Sequence, residues 1–382
     1  MTALAPDREL LESPTRSEAS AYGTPWLFSP VVDLASFAAP ALLALAVVAA
    51  APSFWPEGES PMWLWVVGVL LVDVAHVWSS VFLTYLDPAE LSRHSARYVL
   101  VPVLGWAGGV GLYSLTGSAG FWRVLAYVAV FHFVRQQYGF VALYRARARE
   151  HGRLGAFIDG AAIYSATLYP LLYWHAHLPR HFAWFTPGDF GAGVPLLLAQ
   201  IGAVVHGAAL GTYAVNALLA SRRGSATPWG KHVLVGATAA TWYVGIVATN
   251  SDLAFTVTNV LGHGIPYAVL VFSYARHVDA GDDSERPKAL RSRWLGGDLW
   301  SSAFRFLTCI WALAFVEELL WDRSLWHEHD GVFALNRFDV SAFESLWVPL
   351  LAVPQLTHYV LDGLYWRRGG NPSLGRWLER PS

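Results

Sequence analysis

Cysteine is all but missing from this 382-residue chain: Cys309 stands alone inside an apolar run. No intrachain disulfide, CxxC zinc or redox motif, or thiolate-held iron–sulfur cluster can therefore form. Charge is scarce as well. Only 14% of the residues are Asp, Glu, Lys or Arg, and their sum is −2, so the basic face that nucleic acid requires is absent, as is any nucleotide-binding glycine loop. HExxH, GxSxG and paired acidic phosphotransfer motifs do not occur either. Any bound metal must rely on histidine and carboxylate.

What fills the chain is apolar. With 54% hydrophobic residues, 19 Trp and a mean hydropathy of +0.36, it exceeds the roughly 45–50% apolar content of soluble domains. The composition is that of an integral membrane protein. Windows of about 20 apolar residues, enough to cross a core of about 30 Å, recur ten times: Val31–Pro52, Met62–Leu86, Tyr98–Thr116, Phe121–Tyr144, Phe157–Trp174, Ala192–Ala220, His232–Asn250, Leu253–Ala275, Ser301–Trp321 and Phe343–Trp366. The expected fold is an all-α polytopic transmembrane helical bundle. Residues 1–30, polar and without the basic and apolar regions of a signal peptide, read as a flexible cytoplasmic tail; 31–366 read as the membrane domain and 367–382 as a cytoplasmic C-terminal tail.

The connections between windows carry the orientation, because Lys and Arg collect on the cytoplasmic side. With ten spans, the termini and the even-to-odd connections share one side and hold twenty of the 26 Lys and Arg, against four on the other side. That asymmetry predicts an N-in, C-in topology in a bacterial inner membrane.

Five of the 14 histidines, His76, His132, His206, His263 and His358, fall one to a window and all on even windows. They lie 8 to 14 residues from the arginine-rich ends, a spread of about 9 Å at 1.5 Å per residue. Such rings can meet in one layer. A lone imidazole in a bundle is most simply an interhelical hydrogen-bonding group, but four of these have polar neighbours at helical spacing, as second-shell partners of metal-bound histidines do. Asp73 precedes His76, Arg135 and Gln136 follow His132, Asn259 precedes His263, and Gln355 and Asp362 flank His358. His206, among Gly207, Ala208 and Ala209, reads as a packing residue. Arg135, costly in hydrocarbon, is expected to face inward and pair with Asp73 or Asp362, or to hold an anionic head group. Its simpler role is a structural ion pair.

Other groups point less far. His175, His177, His181, His327 and His329 cluster in outer loops, where a second metal is conceivable but solvated side chains are the ordinary outcome. Glu317 and Glu318 at the outer end of a span, and His94, His232 and His277 near the inner one, read as interfacial.

The segments FHFVRQQYGFVALYR and QLTHYVLDGLYWRR resemble a group of histidine-containing bacterial polytopic membrane proteins of uncharacterised function. The one-histidine-per-helix arrangement is similar in architecture to the bacterial membrane carotene dioxygenases that cleave β-carotene to retinal, whose intramembrane histidines hold one iron. In GHGIPY the similarity extends to the His263-Gly264 pair. The dense HxxxH and HxxHH boxes of membrane desaturases have no counterpart.

Together these features lead to the expectation of a metalloenzyme in which His76, His132, His263 and His358 bind a redox metal, Fe(II) first. A lipophilic substrate (isoprenoid, carotenoid or acyl lipid) would enter from the membrane lipids. Asp73 and Asp362 would orient histidines; Arg135 and Gln136 would position a ligand or head group. A b-type heme protein and a proton-coupled transporter are the alternatives. The electron donor is not identified by any motif.

Overall fold

Proline and glycine punctuate the apolar runs without breaking them into strands. In the computed structural model, which describes residues 26–55, 60–223, 227–280, 290–367 and 371–379, each apolar window falls on a helical segment and no strand occurs among the described residues. The long helices are α1 (Pro30–Phe54), α2 (Met62–Phe82), α3 (95–116), α4 (118–147), α5 (Arg153–Ala176), α6 (Leu196–Arg222), α7 (229–248), α8 (Asp252–Ala280), α9 (Leu299–Trp326) and α10 (344–365). A helix satisfies its backbone polar groups internally, which is what an apolar solvent demands. Among the described residues, six continuous helical stretches are long and apolar enough to cross a membrane. One of these, Ser95–Arg147, is α3 and α4 joined at Gly117, whose φ of 71° only glycine adopts cheaply.

Outward faces are greasy. Val99, Leu100 and Leu104 on α3, Val204 and Val205 on α6, and Trp300 and Phe304 on α9 are all exposed, an arrangement suited to lipid contact. The interior is aromatic: Phe37, Phe140, Tyr144, Tyr267 and Tyr274 anchor one part of the core, and Trp174, Phe182, Phe190 and Phe255 another. At the arginine-rich end a buried ion network ties three elements together. The Asp159 carboxylate of α5 meets Arg145 Nη1 of α4 at 2.5 Å and Lys231 Nζ of α7 at 2.8 Å, and Lys231 also reaches Glu150 at 2.6 Å.

Packed residues extend beyond both ends of the apolar windows. Residues 1–25, with Arg8 and Arg16, lie outside the described residues, but Leu27 is buried, and the Leu27 and Phe28 amides donate to the Asp33 carboxylate at 2.7 and 3.0 Å. The packed chain thus starts before residue 31. Arg286, Lys288, Arg368 and Arg380 also lie outside the described residues. In the C-terminal segment, α11 (Pro372–Glu379) buries Leu374, Trp377 and Leu378 against the bundle, and Arg147 Nη1 donates to the Trp377 carbonyl at 2.8 Å.

Two local irregularities set the site. Trp65–Val74 of α2 is wound as a π-helix, a wider turn that is often found beside functional groups and leads directly into His76. In α8, Pro266 lacks an N–H, which frees the carbonyl four residues back and strains the one after it. Gln137 Nε2 donates to the Gly262 carbonyl at 3.4 Å and Gln136 Nε2 to the His263 carbonyl at 2.9 Å. Consecutive glutamines on α4 therefore satisfy the proline break and lock α4 to α8 at the level of His263.

Candidate metal centre

His76 on α2, His132 on α4, His263 on α8 and His358 on α10 come together in the bundle interior, each at most 5% exposed. His263 Nε2 lies 3.1 Å from His76 Nε2, and His358 Nε2 lies 3.1 Å from His132 Nε2. Ring centroids around the group are 4.6 Å (His76 to His263), 5.3 Å (His263 to His132), 4.7 Å (His132 to His358) and 5.1 Å (His358 to His76). Donor nitrogens of His76, His132 and His358 all lie within 4.8 Å of one another; His263 stands outside this triad and joins it through its 3.1 Å contact with His76.

Close backbone approach makes this possible. A Cβ on Gly264 would stand 2.9 Å from the Val72 carbonyl oxygen and 2.8 Å from Val72 Cγ1. Only a glycine next to His263 lets α8 sit this near the π-helical part of α2.

Aromatic neighbours fix the rings. Phe133 stacks on His263 at 3.5 Å and 8°, and Tyr359 on His132 at 4.7 Å and 30°. Tyr267 sets its ring at a steep angle to His76 and His358 at 5.8 and 5.1 Å. Hydrogen bonds then choose a tautomer for His358: its Nδ1 is 2.6 Å from Ser80 Oγ, Ser80 Oγ is 3.4 Å from Tyr267 OH, and Tyr267 OH donates to Asp362 Oδ1 at 2.5 Å. With the Asp362 carboxylate as final acceptor, every hydroxyl in the chain can donate in one direction, so His358 Nδ1 carries the proton and Nε2 presents its lone pair to the other rings.

The arrangement fits a cation. Imidazoles bound at about 2.0–2.1 Å place their nitrogens about 2.8–3.4 Å apart for angles between about 90° and 109°, and both close pairs stand at 3.1 Å. Away from the Nε2 pairs the pocket is also poorly satisfied: His76 Nδ1, His263 Nδ1, Asp73 Oδ1, Asn259 Oδ1 and Gln136 Oε1 are buried atoms with no hydrogen-bond partner. Orphaned polar atoms are rare and costly in a packed interior. Neutral imidazoles can share only one proton per contact, and a metal ion would give each converging lone pair a partner.

Asp73 approaches His76 Nδ1 at 3.7 Å, on the side expected but beyond hydrogen-bond length. Asp362 does not touch His358; it acts two groups away, through Tyr267 and Ser80. Gln136 faces inward but is committed to the proline break. Arg135 corrects the expectation outright: it is exposed, donates to Tyr164 OH and lies 5.1 Å over the Tyr138 ring. From His132 at about 100° per residue, residue 136 falls about 40° to one side and residue 135 about 60° to the other. The site lies on the first side, while two tyrosines shelter the guanidinium on the second. His206 bonds the Ser165 carbonyl at 3.1 Å and stacks on Tyr169, apart from the cluster.

The outer-loop histidines do not assemble into a metal group among the described residues. His175 and His177 bond carbonyls of their own helix, both at 2.7 Å, and His329 stacks on Trp65 and bonds Asp322. Sequence reasoning missed Ser80, Tyr267, Glu317 and Glu318. Ser80 and Tyr267 had a signal, each four residues after a site histidine, but both serve His358 on another helix. Glu317 and Glu318, expected at an interface, are buried, and Glu317 accepts from Trp78 Nε1 at 2.6 Å.

A cavity of about 960 Å³ reaches His76, Asp73, Phe133, Asn259 and Tyr359 from the end opposite the arginine-rich one, roofed by residues 178–190. Comparison of the chain with protein-family models, with curated proteins and with solved structures yields no match.

Proposed function

We propose that the protein is a membrane-embedded, histidine-ligated metalloenzyme, with His76, His132, His263 and His358 holding a redox metal, Fe(II) first, and a lipophilic substrate as its target. In this reading ten spans cross a bacterial inner membrane with both termini inside. The observation that carries it is the meeting of four buried imidazoles, each from a different helix, in two Nε2 pairs at 3.1 Å, with nitrogens of His76, His132 and His358 all within 4.8 Å of one another. Structural histidines in a bundle seek carbonyls or hydroxyls, as His206 does; four rings turned toward one another serve a cation better than they serve folding.

Bound iron would supply the one-electron chemistry that no side chain here offers. The chain does the rest. Ser80 holds the His358 tautomer, Phe133 and Tyr359 hold ring planes, and the Gln136–Gln137 pair holds α8 in register at His263. The aromatic cavity walls give an apolar substrate a surface beside His76. Packing favours a single ion over b-type heme. Two axial imidazoles need twice a bond of about 2.0 Å between their nitrogens and an open plane for the porphyrin, whereas here paired nitrogens are 3.1 Å apart and the other two rings close the flanks.

Elemental analysis and the visible spectrum of detergent-purified protein test the proposal. Iron near one per chain with no Soret band is the expected result. A Soret band that shifts on reduction would replace it with the heme reading, and metal-free protein that takes up none of Fe, Cu, Mn or Zn would end it.

A further inference from the structure

The cavity beside the histidines has the carboxylates Asp73 and Glu318 in its lining. Glu318 is 8% exposed, lines the cavity, and has no hydrogen bond or ion pair among the described residues. Glu317, Asp73 and Asp322 are the carboxylates that act on it, and of these Asp322 is already paired with Arg323 and His329. Asp73 also lines the cavity, with His76 Nδ1 3.7 Å from its carboxylate. Of the other acidic groups there, Asp189 accepts three loop amides, Asp252 accepts from Ser60, and Glu328 is exposed. Arg180, the one arginine on the wall, donates through Nη2 to the Ile246 and Thr249 carbonyls and lies over Tyr173 and Phe182, with its buried Nε left without a partner.

A buried carboxylate with no counter-charge is expensive, and so is any arrangement that places several together. These groups do not form a second metal group by position, for only the histidines meet that spacing among the described residues. Around them stand Trp65, Trp122, Trp321 and Tyr359, whose ring faces attract cations. Carboxylates and aromatic faces in an apolar cavity of about 960 Å³ are the recognition chemistry of an organic cation with a large apolar body.

We propose that the cavity binds an amine or quaternary ammonium carried on an apolar chain, with the nitrogen held by Glu318 and Asp73 and the chain laid beside His76. This names the substrate class of the metal site and rests on that reading for its catalytic meaning. The same head chemistry could arrive as a free alkylamine or as the choline group of a lipid.

The test measures binding of decyltrimethylammonium, decanol, decanoate and decylphosphocholine to full-length protein in maltoside micelles, read by tryptophan fluorescence. Metal content is measured on the same samples. Decyltrimethylammonium should bind about tenfold or more tighter than decanol, decanoate should bind weakest, and Glu318→Gln should remove most of the preference while Glu318→Asp keeps part of it. Decylphosphocholine matching the ammonium probe assigns a lipid head group; weaker binding assigns a free amine. Equal binding of the ammonium and decanol, tighter binding of decanoate, or an unchanged preference in Glu318→Gln overturns the proposal. Metal-loaded protein without cation preference refutes only this inference, whereas cation preference in protein that takes up no metal refutes only the metalloenzyme.

Discussion

Replacing Gly264 by alanine is the sharpest perturbation of the geometry that brings the rings together. The new Cβ would stand 2.8 Å from Val72 Cγ1, 2.9 Å from its carbonyl oxygen and 3.3 Å from its carbonyl carbon, whereas ordinary contact begins at 3.4 Å. Two of these atoms are backbone and cannot rotate away, so α8 and α2 must separate by about 0.5 Å at the level of His263 and His76. Overpacking of this kind costs about 1–3 kcal/mol. The displacement acts directly on the 3.1 Å pair, and misdirected ligands typically lose on the order of 10–100-fold in metal affinity. Gly262→Ala is the control: two residues away on the same helix, its Cβ would meet nothing within 4 Å, and removing a helical glycine gains roughly 0.5–1 kcal/mol. Metal retained after chelator challenge and the thermal unfolding midpoint should both fall in Gly264→Ala and hold or rise in Gly262→Ala. If Gly264→Ala keeps its metal as the wild type does, the close approach is not what sets the site.

Three other outcomes follow from named contacts. Gln136→Leu strips the donor from the His263 carbonyl at the Pro266 break and should destabilise by about 1–3 kcal/mol, measured by chemical denaturation in mixed micelles; an unchanged midpoint would mean water or a rearranged α8 serves that carbonyl. Arg135→Ala removes an exposed contact to Tyr164 and Tyr138 and should leave the metal-to-protein ratio unchanged, and a clear loss would restore the inward role that its position denies. Arg323 and Arg337 hold the Asp330 carboxylate below its ordinary range, so the pairing is intact above the ordinary carboxylate range and is lost as pH falls through the depressed folded value. Proteolysis of the 327–340 loop should thus quicken only in strong acid, and acceleration near pH 6 would contradict that clasp.

The helices and the four histidines could be read from the chain because hydrocarbon makes polar groups conspicuous. One imidazole per apolar window, at one depth, stands out in a way that no soluble sequence allows. Partners on the same helix were only half visible. Asp73 lies toward His76 as spacing suggests, yet the π-helical turns of α2 alter the register that spacing assumes. Residues 135 and 136 both qualify as neighbours of His132, and nothing in the local sequence says which side of α4 faces the site. Contacts between helices were not readable at all: Ser80 follows His76 but bonds His358, and Tyr267 follows His263 but bonds Asp362. Glu317 and Glu318 looked interfacial from their place near a span end, where only the fold shows α9 packed behind α2 and the cavity in front.

Metal content across five single alanine variants tests the central claim most directly. Purified wild type, His76→Ala, His132→Ala, His263→Ala, His358→Ala and His206→Ala would be compared for moles of metal per chain, with circular dichroism to confirm folding. The account predicts that His206→Ala keeps most of its metal, because that ring bonds the Ser165 carbonyl away from the cluster, and that each of the other four loses most of it. Retention in His76→Ala together with loss in His206→Ala would contradict the account.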